Sequence, residues 1–235
     1  MNEQILYGRP SFPAQLDLSH PLTRGLVGAW CLNENDSTSM RAWDSSPYKN
    51  HGLVAGAVGN YQGRTFASGN NIKILNTDST ALNFTTSDFT LIVWFKATNI
   101  TGSPALLSRG SFNVSGYYWR IMSDGSFEFS INQSGARQTT NTAAGSVLTN
   151  TTYQGAFVRS GTSGKLYING IDSTSGGGVI SNPDSSNDHF YFGMYSDGTS
   201  WPFIGLYAEG IAFNRALSAQ DTKQLYLNPY DIFLH

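Results

Sequence analysis

The chain has 235 residues, a formal charge of −2 and only 13% charged residues. That is about half the charge of an average soluble domain, and no stripe of Lys or Arg marks a nucleic-acid surface, which excludes nucleic acid as the expected partner. Aromatic residues at 13% supply material for a packed core and exclude a disordered chain, and no apolar run approaches the roughly 20 residues of a membrane span.

Residues 1–24 differ in character from the rest of the chain. "LYGRPSFPAQLDLSHPLTR" carries three prolines and no clean period. Proline withholds a backbone donor and pushes the residue before it toward extended geometry. The segment reads as an extended arm, with a disordered leader as the alternative. Its apolar side chains Ile5, Leu6, Tyr7, Phe12 and Leu16 are expected to lie in a groove of a neighbouring subunit. "MNEQILYGRPSF" has no basic region followed by an apolar one. No signal peptide is therefore expected, and synthesis in a cytoplasm is. Cys31 is the only cysteine, so it forms no intramolecular disulfide. Within "GLVGAWCL" it is expected to be a buried thiol.

From Gly25 onward the chain alternates strand and turn. "FTLIVWFKA" sets Phe89, Leu91, Val93 and Phe95 on one face and Thr90, Ile92, Trp94 and Lys96 on the other. Both faces are largely apolar, as in a central strand of a layered fold. "YYWRIMSDGSFEFSIN" is a hairpin around Asp124-Gly125, since Asp-Gly supplies the positive φ angles of a tight turn. Asn169-Gly170 and Asp197-Gly198 repeat the device. Such strands without interleaved helices predict an all-β, antiparallel, two-sheet jelly-roll sandwich. Near the C-terminus, Ser218 precedes Asp221 by three residues, an approximate capping box. A short helix over 218–226 should follow, with Leu217, Leu225 and Gln224 on one face and Asn228-Pro229 as its stop.

The chain runs in order through "GLVGAWCLNE", a loop from Asp44 and Ser45 into "SPYKNHG", then "FTLIVWF", "KLYING" and "FIGLYAEGIAFNRALSAQDTKQLY". Together these pieces resemble concanavalin A-like jelly-roll modules of the laminin G-like type. Trp30, Glu34, Asp44, Ser45, Asn50, His51, Gly52 and Asn214 to Ser218 carry the resemblance. It implies one domain over 25–235, with the closing helix as a plug over one end of the sandwich. "SHPLTRGLVGAW" and "LNPYDIF" look like the forms of this module encoded in tailed bacteriophages. That implies a virion-associated protein.

The resemblance also directs attention to three chemistries. Relatives often hold a structural calcium through acidic side chains and carbonyls, which implies Glu34, Asp44 and Glu209. However, Ala208 stands where an acid is expected, and Asp44 and Asn50 could instead stabilise their own loop. Relatives bind carbohydrate, which points to Tyr118, Arg120, Tyr195, Asp197 and Trp201; core or interface aromatics are the alternative. Hydrolytic relatives need a pair of carboxylates, and no Glu-x-Asp-x-x-Glu pattern is present. Four dispersed histidines and no G-x-S-x-G elbow give no nucleophilic machinery. The sequence thus predicts a non-enzymatic virion structural module, a capsid decoration or tail-associated protein. It would form a homo-oligomer or bind other virion proteins, display a surface for host or mucosal glycans, and need no cofactor beyond a structural calcium. A lectin-like carbohydrate-binding module is the alternative, and a glycoside hydrolase of this fold the second.

Overall fold

The computed structural model describes residues 8–34 and 40–234. In chain order its strands are β1 Leu26–Trp30, β2 Arg41–Ala42, β3 Gly52–Ala55, β4 Val58–Asn60, β5 Gly63–Phe66, β6 Asn71–Ile74, β7 Phe89–Asn99, β8 Ala105–Arg109 and β9 Tyr117–Ile121. There follow β10 Phe127–Gln133, β11 Ala136–Thr142, β12 Thr152–Ser160, β13 Ser163–Ile168, β14 Ile171–Asp172, β15 Thr174–Gly177, β16 Phe190–Phe192 and β17 Ile204–Phe213, then helix α1, Ala219–Leu227. Every strand pair is antiparallel. An eight-stranded sheet runs β14-β13-β12-β7-β17-β5-β4, with β1 also on β17. A nine-stranded sheet runs β15-β11-β10-β9-β8-β16-β6-β3-β2. The predicted two-sheet sandwich is the fold observed.

Strand alternation builds the core between the sheets. Phe89, Leu91, Val93 and Phe95 of β7 meet Tyr117, Trp119, Phe127 and Phe129 of the other sheet. Phe129 stacks on Phe157 of β12 with ring centroids 3.5 Å apart. The turns behave as their residues dictate. Asn169 and Gly170, at φ 52° and 73°, join β13 to β14, a conformation that costs glycine nothing and asparagine little. Asp124-Gly125 joins β9 to β10. Asp197-Gly198 differs from expectation. Its turn closes with Gly198 N–H donating to Tyr195 O at 2.9 Å, but it lies in the crossover from β16 to β17, which belong to different sheets.

The opposite face of β7 is equally dry. Ile92 and Trp94 join Ala156, Val158, Tyr167, Ile211 and Phe213 in a second apolar cluster. The terminal segments cover it, with Leu22, Leu26, Leu217, Leu225, Tyr230, Ile232 and Phe233. Helix α1 begins as predicted. Ser218 Oγ accepts from Asp221 N–H and Asp221 Oδ2 accepts from Ser218 N–H, each at 3.1 Å. It buries Thr222 and Leu225 and leaves Gln224 half-buried. The helix is therefore part of a third layer on the outer face of the eight-stranded sheet, not a plug over the end of the sandwich. The apolar outward residues of β7 and β12 require that cover.

Residues 8–24 also pack on their own domain. Leu16 bridges Phe233, Asp17 N–H donates to Ile232 O, and Leu234 N–H donates to Gln15 O. For these residues the C-terminal tail supplies backbone partners and the second cluster supplies apolar surface, so Leu16, expected in a neighbour's groove, packs on its own domain. Phe12 stays 47% exposed at a cleft of about 160 Å³ whose lining includes Trp43, Lys49 and His51. Ile5, Leu6 and Tyr7 lie outside the described residues.

Candidate glycan-binding face

The outward positions of the nine-stranded sheet are polar. Arg120 of β9 pairs with Glu128 of β10, and Tyr118 pairs with Ser130. Two loops stand over this face, 110–116 after β8 and 193–203 before β17. They are tied together, since Tyr195 Oη accepts from Phe112 N–H and Ser196 Oγ donates to Gly110 O.

Four of the five predicted glycan contacts meet there. The Arg120 guanidinium lies 4.1 Å from the centroid of the Trp201 ring and 5.3 Å from that of Tyr118. Tyr195 packs on Trp201 at 4.5 Å. Tyr118 is fully buried and Tyr195 nearly so, so they support the site from beneath, while Trp201 is half-buried at its surface. Asp197 is exposed at the loop tip, and its carboxylate accepts from Thr199 N–H, Ser200 N–H and Ser200 Oγ. It thus shapes the turn that presents Trp201.

Two members, Phe112 and Arg137, escaped the sequence reading. Phe112, 43% exposed, stacks near Tyr118 and lies 6.4 Å from Trp201. Arg137 donates to Tyr118 Oη at 3.0 Å and to Glu128 at 3.2 Å. Burial works against its charge, but the bond to Tyr118 and the Glu128 carboxylate outweigh that and raise its pKa. Glu128 also accepts from Arg120 at 2.6 Å, so one carboxylate serves two guanidiniums. Trp201 itself has a left-handed backbone, φ 53°, and its carbonyl accepts from Ala105 N–H at 2.8 Å. A bulky side chain there is uncommon and strained.

The predicted metal ligands do not converge. Asp44 accepts four donors, Ala29 N–H, Ser46 N–H, Ser46 Oγ and Asn50 N–H, at 2.6 to 2.8 Å. It organises its loop, as the alternative reading had it. Glu34 accepts from Trp43 N–H and pairs with Arg64 at 3.2 Å. Glu209 is buried on β17, with Arg9 beside it. Among the described residues no three His, Cys, Asp or Glu side chains are placed to hold one ion. These residues do not fit a calcium site.

Residues 66–223 match the family model described as the concanavalin A-like lectin/glucanases superfamily. The chain belongs to that superfamily. No curated protein matches its sequence. Among solved structures, Trypanosoma rangeli sialidase is similar at TM-score 0.66 and 18% identity, over 89% of this chain and 34% of that one. The receptor binding domain of botulinum neurotoxin C/D mosaic serotype is similar at TM-score 0.64 and 14% identity, over 87% of this chain and 51% of that one. This superfamily member thus spans about a third of the sialidase and half of the toxin chain. At these identities the likeness is one of fold.

Proposed function

We propose that this superfamily member is a non-enzymatic carbohydrate-binding module, and that the outer face of β9, β10 and β11 is its binding surface. The observation that carries the reading is Trp201, held in a left-handed conformation above the Arg120 guanidinium. Strained backbone of this kind gathers at ligand sites, and an aromatic ring with polar neighbours is what a sugar ring and its hydroxyls require. Phe112 and the outer edge of Arg137 extend the surface. Glu128, bonded to two arginines, serves as their counter-charge rather than as half of a hydrolytic pair.

The test is a glycan array on the purified protein, followed by calorimetry on its best ligand. Trp201→Ala should weaken binding at least about tenfold, roughly 1.4 kcal/mol. No glycan bound, equal binding by both proteins, or turnover of the bound polysaccharide would each defeat the reading. The virion setting, with homo-oligomeric or virion partners, is a separate proposal. It rests on the segments that flank the domain, and capsid or tail genes beside this one would support it.

A further inference from the structure

Arg9 reaches out of the N-terminal segment into the layer that covers the eight-stranded sheet. Its Nη2 donates to Ala208 O at 2.8 Å and to Cys31 O, and its Nη1 donates to Tyr61 O at 2.9 Å. The three carbonyls come from separate stretches: the residue after β1, the turn between β4 and β5, and β17 at its register shift. Beside them is Glu209, 1% exposed, with no hydrogen-bond partner among the described residues on either carboxylate oxygen. Burial pushes its carboxyl strongly up, and Arg9 is near enough to oppose that. The Cys31 thiol and the Tyr230 phenol share this neighbourhood, and Glu34 is engaged by Arg64. Arg9 is the cation common to the group.

Carbonyl oxygens with a carboxylate close by form the donor set that a hard cation takes. We propose that the Arg9 guanidinium is the resident cation of this oxygen-lined site, and that it latches the N-terminal segment to the sandwich in place of a metal ion. Ala208, where the resemblance implies an acidic ligand, contributes only its carbonyl. A guanidinium differs from a metal in one consequence. It belongs to the segment it fastens, so the segment cannot lift without stripping the Cys31, Tyr61 and Ala208 carbonyls of their donor and uncovering Cys31. Buried polar groups left without partners are disfavoured, which keeps the segment down.

The experiment uses the full chain, with Cys31, its only thiol, as the local reporter. Wild-type protein should melt within about 2 °C in EDTA and in millimolar calcium chloride. Arg9→Ala should melt lower, and its Cys31 should react with a thiol reagent at least about tenfold faster, as local opening requires. Stabilisation of the wild type by calcium would overturn the proposal, and that measurement needs no variant to fold. So would an Arg9→Ala protein with wild-type melting and a protected Cys31.

Discussion

The two sheets share one alternation and put it to different uses. Outward from β7 and β12 the side chains are Ile92, Trp94, Ala156 and Val158, and the described segments that precede β1 and follow β17 cover them. Outward from β9 and β10 they are Tyr118, Arg120, Glu128 and Ser130, and the loops 110–116 and 193–203 overhang them and leave the four 0–9% exposed. In a strand, every second residue faces away from the core. When those residues are apolar, leaving them wet costs about 25 cal/mol per Å², and a third layer forms. When they are polar and mutually bonded, they are satisfied in place beneath loops that present Phe112 and Trp201 at the surface, and no dry third layer forms. The scaffold and the candidate site are thus the same motif with different outward residues.

The largest expected effect tests the covered face. Trp94 is 1% exposed between β7 and the terminal segments. Trp94→Ala should cost about 3–5 kcal/mol, as large-to-small changes in a core do, read from the denaturation midpoint. A loss under about 1 kcal/mol would show the third layer to be loosely packed, and the contrast between the faces would disappear. The open face should respond next. Glu128→Gln removes the one carboxylate shared by Arg120 and Arg137, and leaving partly buried charges unpaired should cost about 3 kcal/mol. A neutral result would mean that the two arginines are solvated rather than bonded.

Much of this contrast is legible in the sequence. "FTLIVWFKA" announces a strand dry on both faces, and Ser218 with Asp221 announces the helix, although not the surface it covers. Across Asp124-Gly125, Glu128 falls opposite Arg120, so the ion pair could have been read from the hairpin register. Phe112 could not, because Trp201 reaches it from a distant loop, and Arg137 stands opposite Asn132 in the next hairpin, so its reach back to Glu128 is not given by the register. Arg9 is the least legible of all. Its partners are backbone carbonyls, which every residue possesses. The register shift beside Ala208, which helps bring those carbonyls together, has no side-chain signature.

Acidification probes the nine-stranded side of the comparison, where His51 and His189 adjoin β3 and β16 and each works as an acceptor. His51 Nδ1, at the cleft beside Phe12 and Trp43, accepts from Asp44 N–H at 3.0 Å. His189 Nδ1, next to β16, accepts from Asn76 N–H at 3.0 Å. Burial is the main cause that lowers both pKa values. A base whose folded pKa is depressed favours folding in its neutral form. That stability is fully present above the ordinary histidine value of about 6.5 and is lost as pH falls through the folded values. The melting temperature should therefore be flat from about pH 8 to 7 and decline below about 6.5. Replacing both histidines by Gln should remove the decline. A decline that persists unchanged would assign it to other groups.

The smallest effect separates strain from packing at Trp201. Ordinarily Gly is less stable than Ala at the same position, because the unfolded glycine has more freedom to lose. At φ 53° the order should reverse. An L-residue in the left-handed region costs about 1–2 kcal/mol, which Ala retains and Gly escapes. Trp201→Ala and Trp201→Gly delete the same contacts to Tyr195 and Arg120, so their difference isolates the backbone. Trp201→Gly should be the more stable of the two by about 1 kcal/mol, while both should lose glycan binding. If Ala is the more stable, the backbone at this position is not held left-handed in solution. The ring would then owe its place to packing alone, and the main support for a built binding surface on the open face would be gone.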